Sequence, residues 1–135
     1  MSTTTNMARL EAIVAELPEA ERVDVEEWDG HPTFRVRGKN FVFSNDTATG
    51  LSLKLSKEEA IAVVATDPAV HEAGYGLGRH GWIALDLPAR PSSERWTEVT
   101  QWVRTSYVLV APKKLGRSVL EQDARWLSGN DTARD

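Results

Sequence analysis

Three histidines, His31, His71 and His80, and the absence of any cysteine bound the chemistry this chain can attempt. A histidine metal site needs two imidazoles close on one element, as in His-x-x-x-His or His-Glu-x-x-His. These three fall in separate loops with no such spacing, and His71-Glu72 alone is too little. His31, between Gly30 and Pro32, reads as a turn residue, and His80 beside Gly81 as a strand entrance. Without a thiol there is no disulfide framework, thiolate zinc site, iron–sulfur ligation or cysteine nucleophile. Gly74, Gly76 and Gly78 suggest a dinucleotide loop, but the sixth position of Gly-x-Gly-x-x-Gly is Arg79. The loop also has no strand directly before it and leads into a strand, not into the helix N-terminus that a pyrophosphate requires. Neither Gly-x-x-x-x-Gly-Lys-Ser/Thr nor Gly-x-Ser-x-Gly occurs. Adjacent acids such as Glu26-Glu27 and Glu58-Glu59 diverge on a strand or helix, so they read as solvated charges. No catalytic residue, metal or cofactor is expected.

The remaining chemistry is that of cations and rings. Net charge is −4, which on average repels polyanions. The charge is nonetheless blocked. Residues 30–57 carry Arg35, Arg37, Lys39, Lys54 and Lys57 against Asp46 alone, and residues 99–117 carry Arg104, Lys113, Lys114 and Arg117 with no acid. Five tryptophans stand at 28, 82, 96, 102 and 126. Trp96 reads as core, while Trp28 and Trp82 flank loops, where an indole can line an interface.

Elements must position these groups. A chain of 135 residues is about one domain. Leu10, Ile13, Val14 and Leu17 recur at helical spacing, predicting a helix over 6–16 with Asn6 as N-cap. The period then changes to two. Val23 and Val25, then Phe34 and Val36, then Phe41 to Ser44, then Leu51, Leu53 and Leu55 predict four antiparallel strands, with turn signals at Gly38-Lys39 and at 46–50. Ser56 and Glu59 form a capping box for a second helix with Ala60, Ile61 and Val64 inward, stopped at Asp67-Pro68. A fifth strand is expected from His80 to Leu87. A third helix follows Ser92 or Ser93, with Trp96, Val99, Val103 and Tyr107 on its stripe and Ala111-Pro112 at its end. The order α-β-β-β-β-α-β-α predicts an α+β fold, a single antiparallel sheet of about five strands with helices on one face. If the leucine-bearing face is covered, then Arg35, Arg37, Ser52, Lys54, Trp82 and Val42 look outward, in the way a nucleic-acid-facing sheet presents cations and a ring. The bland counterpart is that long Arg and Lys stems cover a half-wet sheet.

Six segments, in this order, resemble the MmcQ/YjbR proteins. They are Leu17-Pro18-Glu19-Ala20, the stretch from Glu26 through Trp28 and Pro32-Thr33-Phe34 to Val36, Lys39 to Phe43, Leu51 to Leu55, Leu77 to Leu87 with its Gly81-Trp82, and Ser106 to Lys113. The resemblance runs over residues 8–114. It implies a small α+β domain of the double-wing, CyaY-like or secretion-chaperone-like kind, a family usually labelled DNA-binding, with no established catalytic residues. The domain is thus expected over residues 1–114. Residues 115–135 form an extension with a short helix at 115–127, carrying Val119, Leu120, Trp126 and Leu127, and a frayed tail.

The expected function is non-enzymatic DNA binding through Arg35, Arg37, Lys39, Lys54, Arg79, Trp82, Lys113 and Lys114. A protein-interaction or chaperone-like module, using a sheet edge, an apolar groove or self-association, is the alternative. A third reading places a small ligand in the loop 71–82 with Trp28, His31 and His80. No run approaches the ~18 apolar residues of a membrane span, and the opening residues lack a secretion signal, so a cytoplasmic protein without membrane contact is expected.

Overall fold

The computed structural model describes residues 5–26, 30–74 and 76–122. Helix α1 (Asn6–Ala15) is followed by β1 (Ala20–Val25), β2 (His31–Val36), β3 (Lys39–Ser44) and β4 (Gly50–Lys54). Helix α2 (Lys57–Thr66), β5 (Val70–Glu72), a 3-10 turn (Leu77–His80), β6 (Trp82–Asp86) and α3 (Ser93–Val110) complete the domain. A last helix, α4, occupies 113–122. The strands form one antiparallel sheet in the order β1-β2-β3-β4-β6-β5. The α+β sheet is therefore as expected, with six strands where about five were anticipated. The addition is β5, which pairs Val70 with Leu85 and directly precedes the glycine loop, so that loop does follow a strand. Three residues, of which only Val70 is buried, carry too little alternation to register as a strand.

Strand parity sets the layers. Phe34, Val36, Val42, Leu51, Leu53, Ile83 and Leu85 point to one face and are almost wholly buried against the helices. From α3 come Trp96, Val99, Val103 and Tyr107, and from α1 Leu10 and Val14. Val119 of α4 joins the same core. Val42, expected outward, is fully buried. The register between β2 and β3 shifts, so that Phe34 faces Val42 while Arg35 faces Asn40. The bulge leaves Phe41 as the extra residue, and both Phe41 and Val42 turn inward.

Turns and caps follow local chemistry. Arg37 and Gly38 both adopt positive φ (52° and 80°), the two-residue hairpin turn that matches strand twist. Arg37 is thus a turn residue, not a strand residue of the outer face. At Gly81 (φ 91°) an added Cβ would stand 2.2 Å from the Leu55 carbonyl oxygen, so only glycine permits the bond from Leu55 N–H to Gly81 C=O at 2.9 Å. Ser56 caps α2 as expected, its Oγ accepting from Glu59 N–H, and Ser92 caps α3. For α1 the cap is Thr5. Asn6 is buried one residue later, its amide donating to the carbonyls of Ala48 (3.2 Å) and Pro88 (2.9 Å) and so tying two loops together.

Three polar links tie α3 to the rest of the fold. Ser106 Oγ donates to Phe41 C=O (2.6 Å) and accepts from Lys54 N–H (2.8 Å), bridging β3 and β4 just beyond the Val42–Leu53 pair. Arg95 of α3 grips Asp67, the C-cap of α2, at 2.7 and 3.2 Å. These hydrogen bonds hold the Asp67 carboxyl below its ordinary value of 3.8 against the opposing effect of burial. Tyr107 donates to Pro18 C=O at 2.6 Å, and burial pushes its phenol up.

Ser106→Ala is expected to lower the unfolding free energy by about 2–3 kcal/mol, because a backbone donor and acceptor lose their partner together. Urea titration measures this, and a neutral substitution would show that the bridge adds nothing. Asp67→Asn is expected to cost about 2 kcal/mol at neutral pH. Since the folded pKa is depressed, this stabilisation is complete above the unfolded value and fades as pH falls through the lower folded value. Denaturant titrations should therefore separate wild type from variant at pH 7 and bring them together in strong acid.

Candidate nucleic-acid interface

Helices cover one face of the sheet, and no helix among the described residues covers the other. Cross-strand partners share a face. One row of this second face therefore runs Val23, Thr33, Phe43, Ser52, Ala84 and His71, and within it Thr33 is itself buried, its hydroxyl donating to Val23 C=O. The neighbouring row contains Glu21, Arg35 and Asn40 and, across β4 and β6, Lys54 beside Trp82. Phe43 and Trp82 meet across these rows with ring centroids 5.4 Å apart and planes tilted by 59°. Both are half-buried. Phe43 escaped the sequence reading because the bulge reverses parity within β3. Its signal was that Leu51 and Leu53 inward force Ser52, its partner, outward.

The expected cations divide into three groups. Arg35 and Lys54 lie half-buried on the open face, Arg35 Nε donating to Thr33 Oγ1 at 3.2 Å. Lys39 is exposed at the first position of β3, and Arg79 is exposed on the 3-10 turn, its Nε bonded to Gly76 C=O. Lys113 and Lys114 open α4, in the helical layer and not on the sheet. What these residues share is an end of the molecule. β2 and β4 finish there and β3 and β6 begin there. Helix α3 reaches it too, since Ser106 and Tyr107 bond to Phe41, Lys54 and Pro18.

Arg37 stands apart. Its guanidinium grips Glu19 at 2.5 and 3.0 Å, and these hydrogen bonds hold the Glu19 carboxyl below its ordinary value and raise Arg37. Among the described residues, no carboxylate lies within ion-pair distance of Arg35, Lys39, Lys54, Arg79, Lys113 or Lys114. Arg37 is thus already neutralised by Glu19.

The histidines do not converge. His31 begins β2 at one end of the sheet, its Nδ1 3.6 Å from Asp46 Oδ1 and outside hydrogen-bond range. His80 precedes β6 at the other end. His71 Nε2 meets Asp86 Oδ2 at 3.1 Å in the open. Trp28, which the small-ligand reading needed, lies outside the described residues, as do Tyr75, Trp126 and Leu127. No group of three metal-ligating side chains is present among the described residues, and no helix there is long and apolar enough to cross a membrane.

A family model described as YjbR matches residues 15–109. The chain belongs to the YjbR family. Its fold is similar to that of the Deinococcus radiodurans protein DR2400, whose crystal structure is described as carrying the DUF419 domain. The TM-score is 0.64 at 20% sequence identity, with 81% of each chain covered. No functionally curated protein matches. The matched YjbR span includes Phe43, Lys54, Arg79 and Trp82 and stops short of Lys113 and Lys114.

Proposed function

We propose that this YjbR-family chain is a non-catalytic binding module that holds DNA, in single-stranded form, across the open face of its sheet. The observation that supports the reading is the Trp82–Phe43 pair, two half-buried rings on a face without helices, with Lys54 paired beside Trp82. Rings at a sheet surface offer unpaired bases a stacking platform, and flanking cations take the phosphates. A duplex hides the faces of its bases and would leave the rings idle. From the rings the backbone would pass Arg35 and Lys54 and leave toward Lys39 and Arg79, with Lys113 and Lys114 at the start of α4 as further contacts. The overall charge of −4 makes such binding local, confined to this face and end, and steeply salt-dependent.

Fluorescence anisotropy with a labelled oligothymidine at low salt tests this. Affinity should fall with rising salt, with a log–log slope near −0.7 for each phosphate neutralised. Trp82→Ala is expected to weaken binding by about 1–3 kcal/mol, the worth of one stacked base. Lys54→Glu should weaken it for all sequences and flatten the salt slope. Arg37→Ala should change little, because Glu19 already neutralises that guanidinium. Failure of both single strands and duplex to bind at low salt would overturn the reading.

A further inference from the structure

Helix α2 carries an apolar stripe that the fold leaves open. Positions 57, 60, 61, 64 and 65 follow helical spacing and line a cleft of about 380 Å³. Ile83, fully buried, is another of its apolar walls. The sequence reading placed Ile61 and Val64 inward, yet Ile61 is 72% exposed and Val64 37%. Only Ala60 of this helix is buried. The stripe thus meets a concavity instead of a packed layer. A cleft of this size falls in the range of small-molecule sites, which combine apolar walls with a few placed polar groups.

The polar groups are at one end. Lys57 begins α2 and Arg79 sits on the 3-10 turn, and neither has a carboxylate within ion-pair distance among the described residues. The positive end of the helix dipole adds to Lys57. Glu72, the acid lining the cleft, lies flat on Gly78, where an added Cβ would stand 2.0 Å from its Cγ. Glu59 lines a different groove, beside Trp102.

We infer that this cleft binds a small amphipathic monoanion, a carboxylate at Lys57 and Arg79 with an unbranched apolar tail along Ile61 and Val64. From Lys57 to Ala65 the helix rises roughly 12 Å at 1.5 Å per residue, the reach of a chain of about ten carbons. Tail and head are both required. The tail covers side chains that otherwise stay in water, and the head meets two unpaired cations. The site is a concavity for one free molecule and not a surface for a bilayer. It shares Arg79 and Trp82 with the nucleic-acid reading but rests on neither Phe43 nor Lys54.

Decanoate, below its micellar range, is the probe, followed by amide chemical shifts of the intact chain. Shifts should concentrate at residues 57–65 and 78–83. Decanol should bind at least about tenfold more weakly, one charge-assisted contact's worth, and decyltrimethylammonium should not bind. Ile61→Glu, at an exposed position, should reduce decanoate affinity about tenfold or more while the thermal transition stays in place. Lys57→Glu should reduce it similarly while leaving decanol unaffected. Equal binding of decanoate and decanol would overturn the head site. Shifts centred on Trp102, Leu109 and Leu120 would overturn the location. Binding to phosphatidylglycerol vesicles without binding of free decanoate would overturn the free ligand in favour of a membrane surface.

Discussion

One-sided coverage is the constraint on which this molecule depends. Six strands alternate their side chains between two faces, and the helices take only one of them. The covered face is aliphatic and nearly dry, from Phe34 and Val36 through Leu51 and Leu53 to Ile83 and Leu85. The other face must then contend with water through side chains of mixed character. Thr33, Ser52 and Ala84 are small or polar, Arg35 and Lys54 spread their stems, and Phe43 leans on Trp82. A sheet of this kind is stable because its core is complete on one side, so its second side is free to differ. Any function of the open face draws on that freedom.

Ser106 determines how the two layers meet at the end where β2 and β4 finish. With its hydroxyl between Phe41 C=O and Lys54 N–H, α3 is held against the point where β3 and β4 part. Lys54 is therefore fixed by its backbone from the helical side while its side chain stands on the open side. The Tyr107 bond to Pro18 C=O and the Arg37–Glu19 pair anchor the same end near β1. Glu21 stands opposite Arg35 and Glu72 lines the cleft with Arg79, but several other acids of this acidic chain are engaged by cations. Glu19 is bound to Arg37, Glu11 and Asp24 to Arg22, and Asp67 to Arg95.

Much of this was legible from residue order. Period-two leucines, the Ser56 cap, a cap at Ser92 or Ser93 that falls on Ser92, and the buried stripe of α3 all follow from short-range rules that the tertiary structure leaves intact. What escaped was decided by contacts between distant residues. The bulge that buries Val42 and presents Phe43 is a property of the β2–β3 pairing, and alternation within β3 alone points the wrong way. Arg37 looks like a strand residue until Gly38 pulls it into a left-handed turn. Asn6 looks like a cap, but two loop carbonyls from residues 48 and 88 need its amide more. β5 exists because β6 offers it an edge. As for the site, the cations and Trp82 were visible as types, whereas their distribution over an open face, an end and a helical layer was not.

Helix α2 illustrates a different limit. Its sequence has the apolar spacing of a helix that packs, and the natural inference is that Ile61 and Val64 are core. The fold supplies only half a partner. Beside α2 the sheet ends in the three-residue β5, so the surface that would receive the rest of the stripe is missing. The open apolar helix and the short edge strand are thus a single feature. In its present form the domain leaves about 380 Å³ beside Lys57 and Arg79, neither with a carboxylate in ion-pair range among the described residues, at the end of the sheet where Lys54 and Trp82 also lie. Sheet face and cleft adjoin at Trp82, which pairs with Phe43 on one side and lines the cleft on the other. An occupant of either would therefore touch the same indole.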